Sequence, residues 1–429
     1  MSLQSKPIVK AISLLAAAGG LIGAAPAATP AKPPPPSIGE RLAANRHTLQ
    51  LSDGKLSGDG AALLAVAVND ARIVALGEDH LTREVPAFAA ALCDLMAPEL
   101  AATVVEAGPV ATAEVARSLR APDRLARMAA FNARYHNGIA FLDTRADNDF
   151  AAHCAAVARN PAYRTIGIDQ EFVGSAGLLI DRILATPLSP AARRVVVTLR
   201  ADERRGADQA KASGDPSTLL LLADSASRIA AARAAIERGG NAEAKRLIGG
   251  LAESQMIYAK NSSGAKDSNL VRALLMKRQY AATAPARGKI LMKFGDWHLY
   301  KGVNPLGERD IGNFVAEQSD VAGRPSLHIL MLGVRGVHAS FGGYYRPLGR
   351  EPFKMTDDKD YHWLADAVQA QASTGWTLFD LRPLRHVGIA SLSPDWKRAI
   401  DGYDLLLLVP EFTPSDLIGD EAGGAKTRP

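Results

Sequence analysis

Two short stretches of the sequence place a carboxylate and a histidine after a glycine in the same order. They are Gly77-Glu78-Asp79-His80 and Gly295-Asp296-Trp297-His298, and each follows a short apolar run. Imidazoles and carboxylates can ligate a divalent metal that activates water. An imidazole can also activate water itself while a carboxylate orients the ring. Because the pattern occurs twice, we interpret Glu78, His80 and His298 as catalytic candidates.

Acidic residues follow two further apolar runs. Thr103–Val105 leads into Glu106, and Thr165–Ile168 leads into Asp169 and Glu171. In an open parallel sheet the carboxyl ends of the strands lie along one edge, where ligands bind. We therefore predict that these side chains converge. Glu106 joins the catalytic candidates, and Asp169 and Glu171 are candidate substrate-binding residues.

A polar segment, Lys266–Arg272, opens a predicted helix just before the run Lys289–Phe294. This position could bring Asp267 and Arg272 to the same edge, so both are further substrate-binding candidates. An alternative role for Asp267 is to cap the helix by accepting hydrogen bonds from its first N–H groups.

The signatures of several other enzyme classes are missing. A Gly-x-Ser-x-Gly nucleophile elbow would need glycine at Val173, and the sequence contains no His-Glu-x-x-His, Gly-x-x-x-x-Gly-Lys-Ser/Thr or Cys-x-x-Cys motif. This argues against serine hydrolases, zincins, nucleotide hydrolases and thiol redox enzymes. The choice between metal-dependent and metal-free chemistry stays open. If a divalent metal binds, its candidate ligands are the four catalytic candidates Glu78, His80, Glu106 and His298.

Predicted strands and helices alternate along the chain, and these elements could position the candidate residues. Short apolar runs separated by alanine-rich helices predict an α/β fold with a mostly parallel central sheet flanked by helices. A polar, helical stretch at about 190–260 predicts a helical hairpin inserted between the third and fourth strands. The six predicted strands are Arg72–Leu76, Thr103–Val105, Thr165–Ile168, Lys289–Phe294, Ser326–Leu332 and Asp404–Val409.

The beginning of the chain has the layout of a secretory signal. Lys6 and Lys10 precede an apolar run that ends in small residues, which predicts a signal peptide over 1–31 and a periplasmic or secreted protein. The run is short for a membrane span, so we expect no stable membrane span after cleavage. We further predict a proline-rich linker over 32–40, a single α/β domain over 41–414 and a flexible tail over 415–429.

The net charge limits the class of binding partner, and the two cysteines bear on the redox environment. Loss of the two signal lysines would lower the formal net charge from +5 to +3, which is small for this length and argues against nucleic acid. We expect a small-molecule or peptide substrate instead. Cys93 and Cys154 lie in apolar helical contexts and could form a disulfide in an oxidising compartment or remain separate buried thiols.

The order of these motifs resembles the erythromycin esterase-like/ChaN-like superfamily, with the TraB and Tiki types as more distant relatives. The resemblance rests on 73–84, 105–108, 167–169, 267–269 and 295–298. It implies an α/β fold in which His80 activates water against an ester, with Glu78, Glu106 and His298 completing the site. One residue separates Glu78 from His80, where the esterases usually have two, and this spacing is more similar to the ChaN-like branch, which is associated with haem or iron.

Two functions are therefore carried forward from the sequence. The first is an exported hydrolase that cleaves an ester, lactone or amide with His and Glu residues at strand ends. The second is a non-catalytic protein that binds haem or a metal in the same cleft. Tyr300 would be a possible axial ligand for haem, since tyrosine can ligate haem iron.

Overall fold

A nine-stranded, mostly parallel sheet dominates the computed structural model, which describes residues 36–386 and 391–419. The predicted signal peptide, residues 32–35 of the predicted linker and residues 420–429 of the predicted tail lie outside the described residues. The strands in chain order are β1 (Arg46–Ser52), β2 (Lys55–Ser57), β3 (Ile73–Glu78), β4 (Leu100–Val105), β5 (Arg164–Gly167), β6 (Lys289–Gly295), β7 (Ser326–Gly333), β8 (Arg335–Ser340), β9 (Gly349–Lys354), β10 (Trp376–Asp380) and β11 (Leu405–Val409).

The sheet has the order β2-β1-β10-β11-β7-β3-β6-β4-β5. The six strands from β11 to β5 run parallel, and β10, β1 and β2 extend the sheet in antiparallel pairs. Strands β8 and β9 form a separate antiparallel hairpin. The six parallel strands are the six that the apolar runs predict, so the α/β fold class is confirmed.

Helices cover both faces of the sheet and bury two apolar layers against it. They are α1 (Ile38–Ala44), α2 (Asp59–Asp70), α3 (Glu84–Met96), α4 (Pro109–Ala116), α5 (Arg124–Arg134), α6 (Arg145–Val157), α7 (Ala176–Leu184), α8 (Pro190–Ser213), α9 (Ala226–Gly239), α10 (Ala242–Ser262), α11 (Ser268–Thr283), α12 (Ile311–Val321), α13 (Ala365–Gln369) and α14 (Pro394–Gly402). None of the helices in the described ranges is long and apolar enough to cross a membrane.

The predicted helical insertion lies between β5 and β6, as expected, but it is more than a hairpin. Three helices, α8, α9 and α10, occupy about 190–260. Helix α8 ends at Gly214, whose φ of +83° is a left-handed conformation that glycine adopts at low cost. The sequence pattern predicts helix through this stretch without showing that residues 215–225, which include the short 3-10 turn Pro216–Thr218 and the buried Leu219–Leu221, divide it.

Both predicted boundaries of the α/β domain need correction. The domain begins before residue 41, because Ser37 and Glu40 form a reciprocal capping box that starts α1 at Ile38. It also extends past 414. The Ser415 N–H donates to Leu81 O at 2.8 Å, and Leu417 forms an antiparallel bridge with Thr144. Residues 415–419 are therefore packed against the domain and are not part of a flexible tail.

A disulfide joins Cys93 in α3 to Cys154 in α6. The two Cα atoms lie 5.3 Å apart and both side chains are fully buried. The bond closes a loop with a sequence separation of 61 residues. It ties two helices that pack on the same face of the sheet, and it resolves the choice that the sequence left open.

We expect the double replacement Cys93→Ala/Cys154→Ala to destabilise the protein. Cross-linking a loop of this length lowers the entropy of the unfolded chain and thereby raises the free energy of unfolding by about 4 kcal/mol. The double variant loses this contribution. Urea unfolding followed by circular dichroism measures the change. Reduction of the wild-type protein before unfolding should reproduce the effect, and equal stability of oxidised, reduced and double-variant proteins would contradict it.

Candidate active site

The predicted functional residues meet where three neighbouring parallel strands end. Strand β6 lies between β3 and β4, and the last residue of β3, Glu78, is in register with Gly295 at the end of β6. Glu106 directly follows β4. Every residue of these three strands is buried, so packing on both faces of the sheet holds the strand ends in position. The order of the strands therefore brings residues separated by about 200 positions into contact.

His80 lies between two carboxylates. Its Nδ1 is 3.1 Å from Glu78 Oε1, and its Nε2 is 3.5 Å from Glu106 Oε2. The imidazole keeps 31% of its side-chain surface exposed, whereas Glu78 and Glu106 are almost completely buried. His80 is thus the member of this group that a ligand can reach.

Phe141 and Gly295 fix the position of the His80 ring. Phe141 stacks on the imidazole with ring centroids 4.2 Å apart and an angle of 17° between the planes. Phe141 has a φ of +62°, which is rare for a bulky residue. Strained backbone of this kind clusters at functional sites. A Cβ on Gly295 would lie 2.7 Å from His80 Nε2, so only glycine leaves room for the ring.

Arg272 joins Glu106 to Asp169. Its Nη2 donates to Glu106 Oε1 at 2.6 Å, while its Nε donates to Asp169 Oδ1 at 3.0 Å and its Nη2 also reaches Asp169 Oδ2. Glu106 Oε2 accepts a further hydrogen bond from the backbone N–H of Gly295 at 2.6 Å. Both oxygens of Glu106 are thereby held in place.

His298 forms a dyad with Asp310. The distance from His298 Nδ1 to Asp310 Oδ2 is 2.7 Å, so the carboxylate accepts the Nδ1 proton and orients the ring. The other nitrogen, Nε2, lies 3.1 Å from Arg272 Nη1 and 3.5 Å from Glu106 Oε1. The second imidazole therefore faces the same carboxylate as His80.

Lys293 holds Glu78 from within the sheet. Its Nζ lies 2.5 Å from Glu78 Oε1 and 2.6 Å from Asp147 Oδ1, and all three side chains are at most 3% exposed. The groups of the site thus form a sequence of alternating charge, which we call the charge chain. Its members in order are Asp147, Lys293, Glu78, His80, Glu106, Arg272 and Asp169.

The neighbouring charges shift the pKa of His80 and of Glu106. Burial lowers the pKa of His80, but the negative charge of Glu106 and the hydrogen bond to Glu78 outweigh burial and raise it to about 9. Burial raises the pKa of Glu106, yet His298, His80 and Arg272 hold it well below its usual range. Glu106 is therefore ionised at neutral pH, and His80 is mostly protonated.

The acids inside the two glycine motifs make other contacts. Asp79 pairs with His338 of β8, at 2.9 Å from Nδ1. Asp296 accepts a hydrogen bond from the Tyr361 hydroxyl at 3.0 Å, and burial raises the pKa of Asp296 to about 7. The Tyr403 hydroxyl donates to the backbone oxygen of Asp296. These contacts position the loops that carry the histidines.

The structure brings together six of the eight predicted site residues and leaves two outside. Each of six residues directly contacts at least one other member of the set Glu78, His80, Glu106, Asp169, Arg272 and His298. Asp267 instead pairs with Lys260 at 2.7 Å on an exposed surface at the start of α11. Glu171 is buried and accepts from the N–H groups of Val110 and Ala111, which caps α4. The prediction of substrate binding does not fit these two positions.

Four residues of the site are missing from the sequence interpretation. Lys293 carries a signal that could have identified it, because a lysine inside the apolar strand Lys289–Gly295 needs a buried anionic partner. Asp147 occupies the first turn of α6 and Asp310 is the N-cap of α12, two positions where acids are common, and Phe141 lies in a loop with no pattern. Only the folded backbone brings these three side chains to the histidines.

The geometry does not fit a metal centre. Within residues 36–386 and 391–419, no group of three or more His, Cys, Asp or Glu side chains is arranged to hold a metal ion. The two carboxylates of the candidate set, Glu78 and Glu106, have Lys293 and Arg272 as their cations. Tyr300 does not fit as a haem ligand either, because it is 3% exposed and packs edge-on against Tyr403.

Comparison with known proteins shows the fold. No family model and no curated protein matches the sequence. A crystal structure of a Bacillus cereus protein aligns over 89% of this chain and 98% of its own, with a TM-score of 0.57 and 17% identity. A succinoglycan biosynthesis protein aligns over 89% and 98%, with a TM-score of 0.55 and 13% identity.

The third structure is a mutant of erythromycin esterase EreC in its open conformation. It aligns over 87% of this chain and 99% of its own, with a TM-score of 0.54 and 16% identity. The resemblance to the erythromycin esterases is thus confirmed at the level of the fold. The alignment includes nearly the whole of each of these three proteins.

We expect Lys293→Met to lower the free energy of unfolding by about 3–5 kcal/mol, because it leaves the buried carboxylate of Asp147 without its cation and leaves Glu78 with the His80 imidazolium alone. The cost should shrink as the pH falls, since Glu78 and Asp147 of the variant then take up protons. Urea unfolding at pH 7 and pH 5 measures both effects. An exposed control, Lys354→Met, should change stability little, and a cost for Lys293→Met that is small or independent of pH would contradict the prediction.

Proposed function

We propose, on the premise of a fold shared with an erythromycin esterase, that this chain is a hydrolase that cleaves an ester, lactone or amide. The observation that carries the proposal is the partly exposed His80 imidazole between the buried carboxylates Glu78 and Glu106. Such a ring can accept a proton from water while both carboxylates stabilise the imidazolium that forms.

In the proposed reaction, neutral His80 takes one proton from a water molecule at Nε2. The water oxygen forms a bond to the carbonyl carbon, and the carbonyl electron pair moves to its oxygen. When the tetrahedral intermediate collapses, the bond to the leaving oxygen or nitrogen breaks, and His80 returns its proton to that atom. The Arg272 guanidinium lies on the same carboxylate and would stabilise the developing negative charge. His298 Nε2 accepts a hydrogen bond from Arg272 Nη1 and would help to orient this guanidinium.

Each carboxylate has a distinct role in this proposal. Glu78 accepts the proton of His80 Nδ1 and thereby leaves Nε2 free for the reaction. Glu106 stays ionised and attracts the imidazolium. Asp310 orients His298 in the same manner as Glu78 orients His80. No step needs a metal, and the substrate is a small molecule or a peptide.

Export is part of the proposal. The basic and apolar beginning of the sequence is typical of a signal peptide, which would direct the chain to the periplasm or beyond. The disulfide between Cys93 and Cys154 supports this location, because disulfides persist in oxidising compartments. Cell fractionation of the expressed full chain, with N-terminal sequencing of the product, tests it.

We expect His80→Asn to lower kcat/KM by a factor of about 10²–10⁴, the range that a general base contributes. The measurement is hydrolysis of a panel of nitrophenyl esters, lactones and peptides, with and without chelator. His153→Asn is a matched control, since this exposed histidine of α6 pairs with Asp94 outside the charge chain. Activity retained in a folded His80→Asn protein would refute the proposal.

The pH profile should report the raised pKa of His80. Because the neutral ring is the reactive form, kcat/KM should rise about tenfold per pH unit and level off near pH 9. Glu106→Gln removes the charge that holds the proton, so the rise should end at a lower pH. Steady-state kinetics between pH 6 and 10 measure this, and a flat profile or an unshifted variant would contradict the assigned base.

A further inference from the structure

We propose that a cavity at the free edge of the sheet binds a single-chain amphiphile with a carboxylate headgroup, such as a medium-chain fatty acid. Strand β5 is the last strand of the sheet, and the cavity lies between this strand and α4. Its volume of about 450 Å³ falls within the range of roughly 300–1,000 Å³ that is usual for small-molecule pockets.

The walls of the cavity are largely apolar. Leu119, Ala155 and Ile166 are 3%, 4% and 8% exposed, and Pro109 and Ala113 contribute one side of α4. Tyr163 also lines the cavity, but its hydroxyl is hydrogen-bonded to Thr103 at 2.8 Å, so its polar atom already has a partner. These walls would cover an alkyl chain, whose burial is favourable in proportion to its length.

Two guanidinium groups border the apolar walls without a neighbouring anion. Arg120 Nε donates to the backbone oxygen of Ala155 at 2.8 Å, and Arg164 Nη2 donates to that of Thr283 at 3.0 Å. Neither arginine forms an ion pair with a carboxylate within the described residues, whereas the third lining arginine, Arg117, is paired with Glu114. The carbonyl bonds fix two uncompensated positive charges beside an apolar cavity.

This combination of shape and charge selects the ligand. An anionic headgroup can accept charge-assisted hydrogen bonds from the guanidiniums, and carboxylate geometry suits arginine well. The alkyl chain then lies along the wall of α4. Residues that line the cavity do not belong to the charge chain, so the two sites can be tested separately.

Calorimetric titration of the wild-type chain with decanoate, hexanoate and decanol tests the ligand class. We expect saturable 1:1 binding of decanoate, with hexanoate at least tenfold weaker, since each buried methylene contributes about fourfold in affinity. Decanol should also bind more weakly than decanoate because it lacks the charge. Absence of saturable decanoate binding, or decanol binding as tightly, would overturn the proposal.

Variants locate the binding. Ala113→Phe should fill the cavity, and Arg120→Gln/Arg164→Gln should weaken decanoate but not decanol. Arg194→Gln, an exposed change in α8, is the control. All variants should keep the wild-type melting temperature and any hydrolytic activity. Unchanged decanoate affinity in folded Ala113→Phe would overturn the assignment, as would binding to anionic lipid vesicles without binding of free decanoate.

Discussion

Burial of carboxylates is the constraint on which the rest of this site depends. Glu78 and Glu106 lie at the ends of strands that are buried along their whole length, so each needs a nearby cation to remain ionised. Lys293 and Arg272 supply those cations from β6 and α11. The alternation leaves two members, His80 and Arg272, partly exposed, and the charges on either side of His80 set its proton affinity.

The sequence predicted the parallel part of the fold because continuous apolar runs mark strands buried on both faces. It missed β1, since β1 is exposed at most positions and has no continuous apolar run, and it also missed β10. Convergence of Glu78, Glu106 and His298 followed from the rule that parallel strands end along one edge. Asp310 could be predicted as the N-cap of α12 but not as a partner of His298, and Phe141 reaches His80 through loop backbone that no sequence pattern marks.

Glu171 and Asp267 did not converge with the other predicted site residues, and the reasons differ. Glu171 does follow β5, but the first N–H groups of α4 lie closer to it than the histidines do and take up both of its oxygens. Asp267 lies on the solvent side of α11, whereas Arg272, five residues later, faces the sheet. The two side chains differ in their angular position around the axis of α11. The order of motifs along the sequence does not predict that angle.

Residues 415–419 pack against loops near His80, so the candidate site depends on a segment that is synthesised late. This segment pairs with Leu81, one residue after His80, and with Asp143 and Thr144, which follow Phe141 by two and three residues. A ribosome must therefore synthesise the chain past Val409, the last residue of the sheet strands, before the loops around His80 acquire these contacts. The nascent chain would contain every reactive side chain well before those side chains adopt a competent arrangement.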